Sequence, residues 1–369
     1  ALLPLFHETC QKGFEKEQDP TTIVETFFKK YQDRRSKESQ INLLFRFIQY
    51  IERQVVLFDA IEDASFPIVN NMDGIGTLRS LKESATAEKK LETLKKYLEE
   101  FKVRIVLTAH PTQFYPGAVL GIITDLTQAI RENDLLRINE LLAQLGKTPF
   151  FKHKKPTPYD EAVSLIWYLE NVFYQSFGTI YDYIQLNIFD GKHIENDIIN
   201  IGFWPGGDRD GNPFVTPEIT LKVAARLRET IIKNYHRDIR ELRRKLTFSG
   251  VEQRIIKLET ELYNSITHQK SSLTLDSFTQ ELKEIKQLII DQHQSLYVSQ
   301  INSLLNKVHL FGFHFANLDI RQDSRKHAQF FNTLVTALIE SGSTIFPENY
   351  FDLKQDQQIQ VLSKVQGKV

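Results

Sequence analysis

Three short apolar runs, rich in β-branched and aromatic residues, interrupt an otherwise helical chain and restrict its architecture more than any other feature. The first is Val103-Arg104-Ile105-Val106-Leu107-Thr108-Ala109 and the second Ile198-Ile199-Asn200-Ile201-Gly202-Phe203-Trp204. The third begins at Leu310 and continues through Asp319 and Arg321 to Ser324. Turn chemistry follows the first two: His110-Pro111-Thr112 after one, and Pro205-Gly206-Gly207-Asp208-Arg209-Asp210-Gly211-Asn212-Pro213 after the other. Between the runs, apolar residues recur at three- and four-residue spacing, the period of helices with one buried face. Short strands joined by long helical excursions point to parallel pairing, since antiparallel neighbours are usually joined by tight turns.

The helical intervals are predicted at Phe6–Lys16, Thr22–Asp33, Gln40–Glu62, Ala85–Phe101, Gly117–Glu132 and Asp134–Leu145. They continue at Pro158–Asn187, Val251–His268, Ser277–Gln294, Gln300–His309 and Asp323–Ser341. A helix opening at Pro217 with Thr216 as N-cap runs to about Leu246. The aromatic stripe Trp167, Tyr168, Phe173, Tyr174 and Phe177 reads as core. The tail after Pro347 is weakly patterned and reads as frayed or partly packed. No internal repeat or low-complexity segment is present.

Function gathers where the strands end. The segment Trp204–Asn212 places Arg209 between Asp208 and Asp210 in a glycine-rich turn. Turn chemistry accounts for the glycines, and a local salt bridge for part of the rest. A cation held between two carboxylates also resembles a fixed partner for an anionic ligand. Pro111 biases His110 towards extended geometry at the end of the first strand, a suitable place for proton transfer. A purely structural histidine bonded to backbone is the alternative there. In the third run, period two puts Phe311, Phe313, Phe315, Asn317, Asp319 and Arg321 on one face, with Asp319 and Arg321 able to pair at the strand rim. His314 falls on the opposite face, in a structural role. Asp208-Arg209-Asp210-Gly211-Asn212 has the look of a calcium loop, but Pro213 stands where the turn glycine belongs.

Four motifs in order resemble phosphoenolpyruvate carboxylase: Thr108-Ala109-His110-Pro111-Thr112, Lys155-Pro156-Thr157-Pro158-Tyr159-Asp160-Glu161-Ala162, Gly202 through Asn212, and Leu318-Asp319-Ile320-Arg321-Gln322-Asp323-Ser324. The resemblance extends over essentially the whole chain but only the amino-terminal part of the family, whose later motifs are not in this sequence. It implies a mainly α-helical chain with a few parallel strands, part of an (α/β)8 TIM-type barrel with many extra helices. The division expected is 1–102 as a helical amino-terminal region, 103–325 as the first barrel strands with insertions, and 326–369 as helix and tail. The implied reaction converts phosphoenolpyruvate and bicarbonate to oxaloacetate and phosphate, through carboxyphosphate and the enolate of pyruvate, with Mg2+ or Mn2+.

The resemblance assigns His110 to proton transfer, Arg321 to phosphate, and Trp204 to an apolar wall near the substrate methylene. Gly207, Asp208, Arg209, Asp210 and Asn212 are expected to shape the bicarbonate side, and Lys155 belongs to a chiefly structural motif. Metal ligands are expected in the remaining carboxyl-terminal part of the polypeptide, so none is assigned here. The sequence departs from the family at Gln113-Phe114-Tyr115-Pro116-Gly117, where many relatives carry a glutamate and paired arginines.

The start at Ala1 and the missing later motifs lead to the expectation of a segment of a longer, usually homotetrameric enzyme, inactive or nearly so alone. Other readings are a stand-alone helical scaffold that binds a protein, or a phosphate- or organic-acid-binding relative. A net charge of −1 gives no reason to expect nucleic acid. The single cysteine, Cys10, excludes an internal disulfide and suits the cytoplasm. No apolar run has the length of a membrane span, and Leu2-Leu3-Pro4-Leu5-Phe6 lacks the basic flank of a signal peptide.

Overall fold

The structure is a computed structural model and describes residues 2–108, 115, 117–150, 156–210, 212–267 and 272–365. His110, Lys155 and Gly211 lie outside the described residues, as do Gln113 and Phe114. The chain divides into two compact units, one made of residues 1–80 and 111–155, the other of 81–110 and 156–369.

The first unit is helical. α1 (Leu2–Phe14), α2 (Pro20–Tyr31) and the start of α3 (Lys37–Val69) enclose Phe27, Phe28 and Phe47, with Phe6 edge-on to Phe27 at 4.9 Å between centroids. α2 starts where the Asp19 carboxylate accepts from the Thr21 amide at 2.9 Å, with Pro20 supplying a first helical residue that needs no hydrogen bond. Further along α3, Val56 and Ala60 pack with Val119, Ile122 and Leu126 of α6 (Gly117–Arg131) and Leu141 and Leu145 of α7 (Leu135–Lys147). Small residues on α3 match larger ones on α6.

The second unit holds the sheet. β1 (Val103–Leu107), β2 (Ile199–Phe203) and β3 (Asn317–Leu318) are parallel, in the order β1-β2-β3. Val103 pairs with Ile199 and Leu107 with Phe203, while Gly202 and Phe203 pair with Asn317 and Leu318. The central β2 is largely buried, whereas Val103 and Val106 of the outer β1 are exposed. The parallel arrangement expected from the spacing of the runs is therefore present, in a chain that is mainly helical.

Three local expectations are corrected. The interval 85–101 is two helices, α4 (Leu78–Ala87) and α5 (Leu91–Glu100), separated at Lys89, whose φ of 58° no α-helix admits. The third run does not start as a strand. α13 (Val298–Phe311) continues through Phe311 and stops at Gly312, where φ is 52°, and only Asn317–Leu318 are extended in the sheet. Phe311, Phe313 and Phe315 instead fill a core shared with Tyr174, Tyr235 and Phe278. A period-two aromatic run at a helix exit carries the same pattern as a buried strand, so periodicity alone did not separate them.

The third correction concerns 158–187. α8 (Pro158–Tyr168) opens on a capping box between Thr157 and Asp160, passes through one π turn (Leu169–Phe173), and resumes as α9 (Tyr174–Asn187). Tyr174 and Phe177 are buried, but Trp167 is 52% exposed and Tyr168 also faces solvent, so the aromatic stripe is core over its second half only. The tail after Pro347 is partly packed, as one of its two readings had it: Tyr350 joins Phe346 on Val335 of α14 (Ser324–Glu340), while α15 (Gln355–Leu362) buries no residue.

α10 (Pro217–Arg243) begins as expected, with Thr216 accepting from the Ile219 amide. It packs against α13 around a buried polar cluster. Lys307 is 6% exposed and reaches Asp238 at 2.9 Å and Gln175 at 3.1 Å, lying 4.5 Å from the centre of the Tyr174 ring. The Tyr174 hydroxyl donates to the same Asp238 oxygen at 2.7 Å. Gly178 makes room for this lysine, since a Cβ there would lie 2.8 Å from Lys307 Cε.

Candidate functional site

The loop that leaves β2 is folded against the segment that leaves β3. Gly207 and Asp208 amides both donate to the Trp204 carbonyl at 2.9 Å, closing a tight turn over the buried Pro205-Gly206 pair. Gly206 has φ 81°, and the sequence meets that demand with the one residue that adopts it freely. Gly207 is required for a different reason: a Cβ would stand 2.2 Å from the Asp319 carbonyl oxygen. The backbone contact so permitted continues the sheet beyond its strands. The Arg321 amide donates to Gly207 O at 3.0 Å and the Arg209 amide to Arg321 O at 2.9 Å, giving a parallel bridge between Asp208 and Arg321.

That bridge sets three side chains in register. The Arg321 guanidinium lies 4.2 Å from the centre of the Trp204 ring. Its Nη1 meets Asp208 Oδ2 at 3.1 Å, and Nη2 stands 3.9 Å from Asp210 Oδ2. Stacking on indole fixes the plane of the guanidinium, and the carboxylates fix its rotation in that plane. With the side chain 43% exposed, the cation remains open to solvent on its other edge. Asp208 is itself held, accepting from the Asp210 amide at 3.2 Å.

The cation between the two aspartates is thus Arg321, which follows them by more than a hundred residues, and Arg209 turns elsewhere. Arg209 Nη2 donates to the Thr220 hydroxyl at 3.1 Å, and that hydroxyl donates to Gly206 O at 2.7 Å. Its Nε is buried without a partner among the described residues. The Thr216 hydroxyl and a backbone hydrogen bond, with a smaller contribution from the Arg209 charge, hold the Glu218 carboxyl below its usual range. Asn212 caps the end of the loop by accepting from the Phe214 amide at 3.1 Å.

Asp319 does not pair with Arg321. It forms an ion pair with Arg104 of β1, reaching across β2 over Gly202, where a Cβ would lie 2.8 Å from Asp319 Oδ2 and 2.9 Å from Arg104 Nε. Sequence reasoning missed Arg104 and Thr220. A charge inside an apolar strand was the visible signal for the former, and Thr220 offered none. The structure brings together Trp204, Gly207, Asp208, Asp210 and Arg321; Arg209 and Asn212 shape the loop from behind. His314 is exposed, away from the aromatic core around it.

Among the described residues no group of three or more His, Cys, Asp or Glu side chains is placed to hold a metal ion. Asp208 and Asp210, the carboxylates nearest the open cation, face Arg321. These residues do not fit a metal centre. The site can hold an anion by a planar, pre-oriented pair of N–H donors beside an aromatic wall. None of the described helices is long and apolar enough to cross a membrane.

Comparison with known proteins places the chain in a family. Residues 23–275 and 252–368 match the family described as phosphoenolpyruvate carboxylase. The chain is 29% identical over 280 residues to the phosphoenolpyruvate carboxylase of Shewanella loihica, covering 63% of this chain and 32% of that protein. With the enzyme of Shewanella sediminis it shares 28% identity over 299 residues, 68% of this chain and 33% of the relative. The Prochlorococcus marinus subsp. pastoris enzyme is 26% identical over 349 residues, 73% of this chain and 34% of the relative. The chain therefore spans about a third of the length of the curated relatives it matches. By the extent of that match, the chain belongs to the phosphoenolpyruvate carboxylase family.

Proposed function

We propose that this chain is the amino-terminal part of a phosphoenolpyruvate carboxylase, which forms oxaloacetate and phosphate from phosphoenolpyruvate and bicarbonate. The observation that carries the reading is the Arg321 guanidinium, stacked on Trp204 and oriented by Asp208 and Asp210 where the strands end. A planar fork fixed before the ligand arrives suits a phosphoryl group in a way that a flexible lysine does not. Both carboxyphosphate and the enolate are anionic, so donors that need no reorganisation favour the transition states that lead to them. The Trp204 ring would exclude water from the enolate methylene, which water would otherwise protonate.

In this reading His110, three residues after the last of β1 in the sequence, accepts the carboxyl proton of carboxyphosphate as its C–O bond to phosphate breaks, releasing carbon dioxide beside the enolate and phosphate. Gly207 permits the close backbone approach, Arg209 and Asn212 hold the loop, and Asp208 and Asp210 aim Arg321. The three strands would be the first of an (α/β)8 barrel, in which sites gather at the carboxyl ends of strands. The division into 1–102, 103–325 and 326–369 belongs to that proposal, as do a cytoplasmic, homotetrameric enzyme and a site completed by sequence corresponding to the rest of the relatives. The divalent metal, Mg2+ or Mn2+, would be held by that remainder, and no step assigned to the residues here passes through it.

Oxaloacetate formation, followed through malate dehydrogenase with magnesium and bicarbonate, tests the reading. The chain alone is expected to turn over at background. In a polypeptide of the relatives' length, Arg321→Ala is expected to lower kcat/KM by about a hundredfold, with Arg321→Lys recovering only part. An unchanged kcat/KM in Arg321→Ala would remove this arginine, and with it the proposal.

A further inference from the structure

A second cleft, lined by none of the motif residues, carries two lysines on one helix face. It encloses about 740 Å3 and is lined by the end of α9, the segment that follows it, α12 (Leu275–Gln292) and α13. That volume falls in the range of small-molecule sites. α12 is two-faced: Phe278, Leu282, Ile285 and Ile289 are buried in the core, while Asp276, Thr279, Gln280, Lys283, Lys286 and Gln287 line the cleft. Leu305 and Val308 of α13 give it an apolar floor.

Its charge is uneven. Asp276 sits in the first turn of α12, about 10 Å along the axis from Lys283 at 1.5 Å per residue. Lys283 and Lys286, one turn apart on the same face, make no ion pair with any described residue. Opposite the lysines stand His193 and His309, their rings 5.4 Å apart, with His309 Nε2 3.2 Å from Asp197 Oδ1. At the back, the buried Asn306 amide donates to Asp182 at 2.7 Å and to the Gln185 carbonyl oxygen at 2.6 Å. Gln185, 8% exposed, lines the cleft and keeps its side-chain NH2 outside this bond.

We infer that this cleft binds a small organic anion, a phosphate or carboxylate head on an apolar body. The head is met by Lys283, Lys286 and the donors of His193 and Gln185, and the body rests on Leu305 and Val308. The cleft shares no lining residue with the Arg321 site and does not depend on the function proposed for it.

Calorimetric titration of the purified protein with phenyl phosphate and, separately, with inorganic phosphate tests the inference. Phenyl phosphate is expected to saturate one site at least tenfold more tightly than inorganic phosphate. The Lys283→Ala/Lys286→Ala double variant is expected to lose at least tenfold in affinity while keeping the wild-type melting temperature, both lysines lying outside the core. Arg321→Ala is expected to leave this binding intact. The inference is overturned by no saturable binding, by equal affinity for the two probes, by unchanged affinity in the lysine double variant, or by loss of binding in Arg321→Ala alone. A Leu305→Lys variant, which places a charge on the floor, is expected to weaken phenyl phosphate selectively; equal weakening of both probes would also count against the site.

Discussion

At the residue scale, the candidate site depends on an absence as much as on its charged groups. Gly207 lies so close to the Asp319 carbonyl that the backbones of the two loops touch, and this contact brings Arg321 onto Trp204. Gly207→Ala is therefore expected to destabilise the second unit by about 2 kcal/mol, the usual cost of forcing a carbon into filled space, and to weaken phosphoenolpyruvate binding as well. Urea unfolding and ligand titration of the variant measure the two effects, and an alanine tolerated in both would mean that the loops do not need this approach. Much of this neighbourhood was legible in the sequence, because Gly-Gly-Asp-Arg-Asp-Gly-Asn cannot be an ordinary strand or helix. The arrangement of charges was not. Adjacency placed Arg209 between the aspartates, whereas the strand-like bridge gives that position to Arg321 and sends Arg209 to Thr220. Pairings between distant segments follow from register, and register is set by the whole sheet. Asp319, likewise, is drawn to Arg104 across Gly202 instead of to Arg321, two positions further on.

At the scale of elements, helices were legible and their exits less so. Thr216-Pro217 announced the start of α10, and Asp134 and Asp323 cap α7 and α14 as short polar residues do. The end of α13 was misread because Phe311, Phe313 and Phe315 alternate, although Gly312 between them is the residue at which a helix stops. The π turn at Leu169–Phe173 has no sequence signature, yet it changes which aromatic residues of the long helical stretch are buried. Also hidden was the cluster where α9, α10 and α13 meet. Nothing in the sequence sets Lys307 apart, yet it is enclosed with Asp238, Gln175 and Tyr174. Replacing it with alanine leaves a carboxylate in a largely buried setting without its cation. Lys307→Ala is expected to cost about 3 kcal/mol, read from the midpoint of chemical unfolding. A loss near zero would mean that water replaces the ammonium at no cost.

At the scale of the molecule, a few phenols enclosed in the core make its stability depend on pH at the alkaline end. Tyr174, Tyr181 and Tyr235 are buried, and burial, followed by the nearby charge of Asp238 or Asp197, pushes each hydroxyl above its usual range. A group whose folded-state pKa is raised contributes stability that is intact below its unfolded value and is lost as pH climbs past it. The fold is thus expected to hold up to about pH 10 and then to weaken steadily. Tyrosinate absorbance and far-ultraviolet circular dichroism, followed together, check this: the buried phenols are expected to ionise only as helix content falls, and ionisation with the helices intact would contradict it. The sheet has a different consequence. Its spatial order, β1-β2-β3, is also its order along the chain. Each strand pairs with one already synthesised, and none must be inserted between two that have paired. A nascent polypeptide emerging from the ribosome can therefore lay down this sheet in a single direction, with each exposed edge covered by the next strand to arrive.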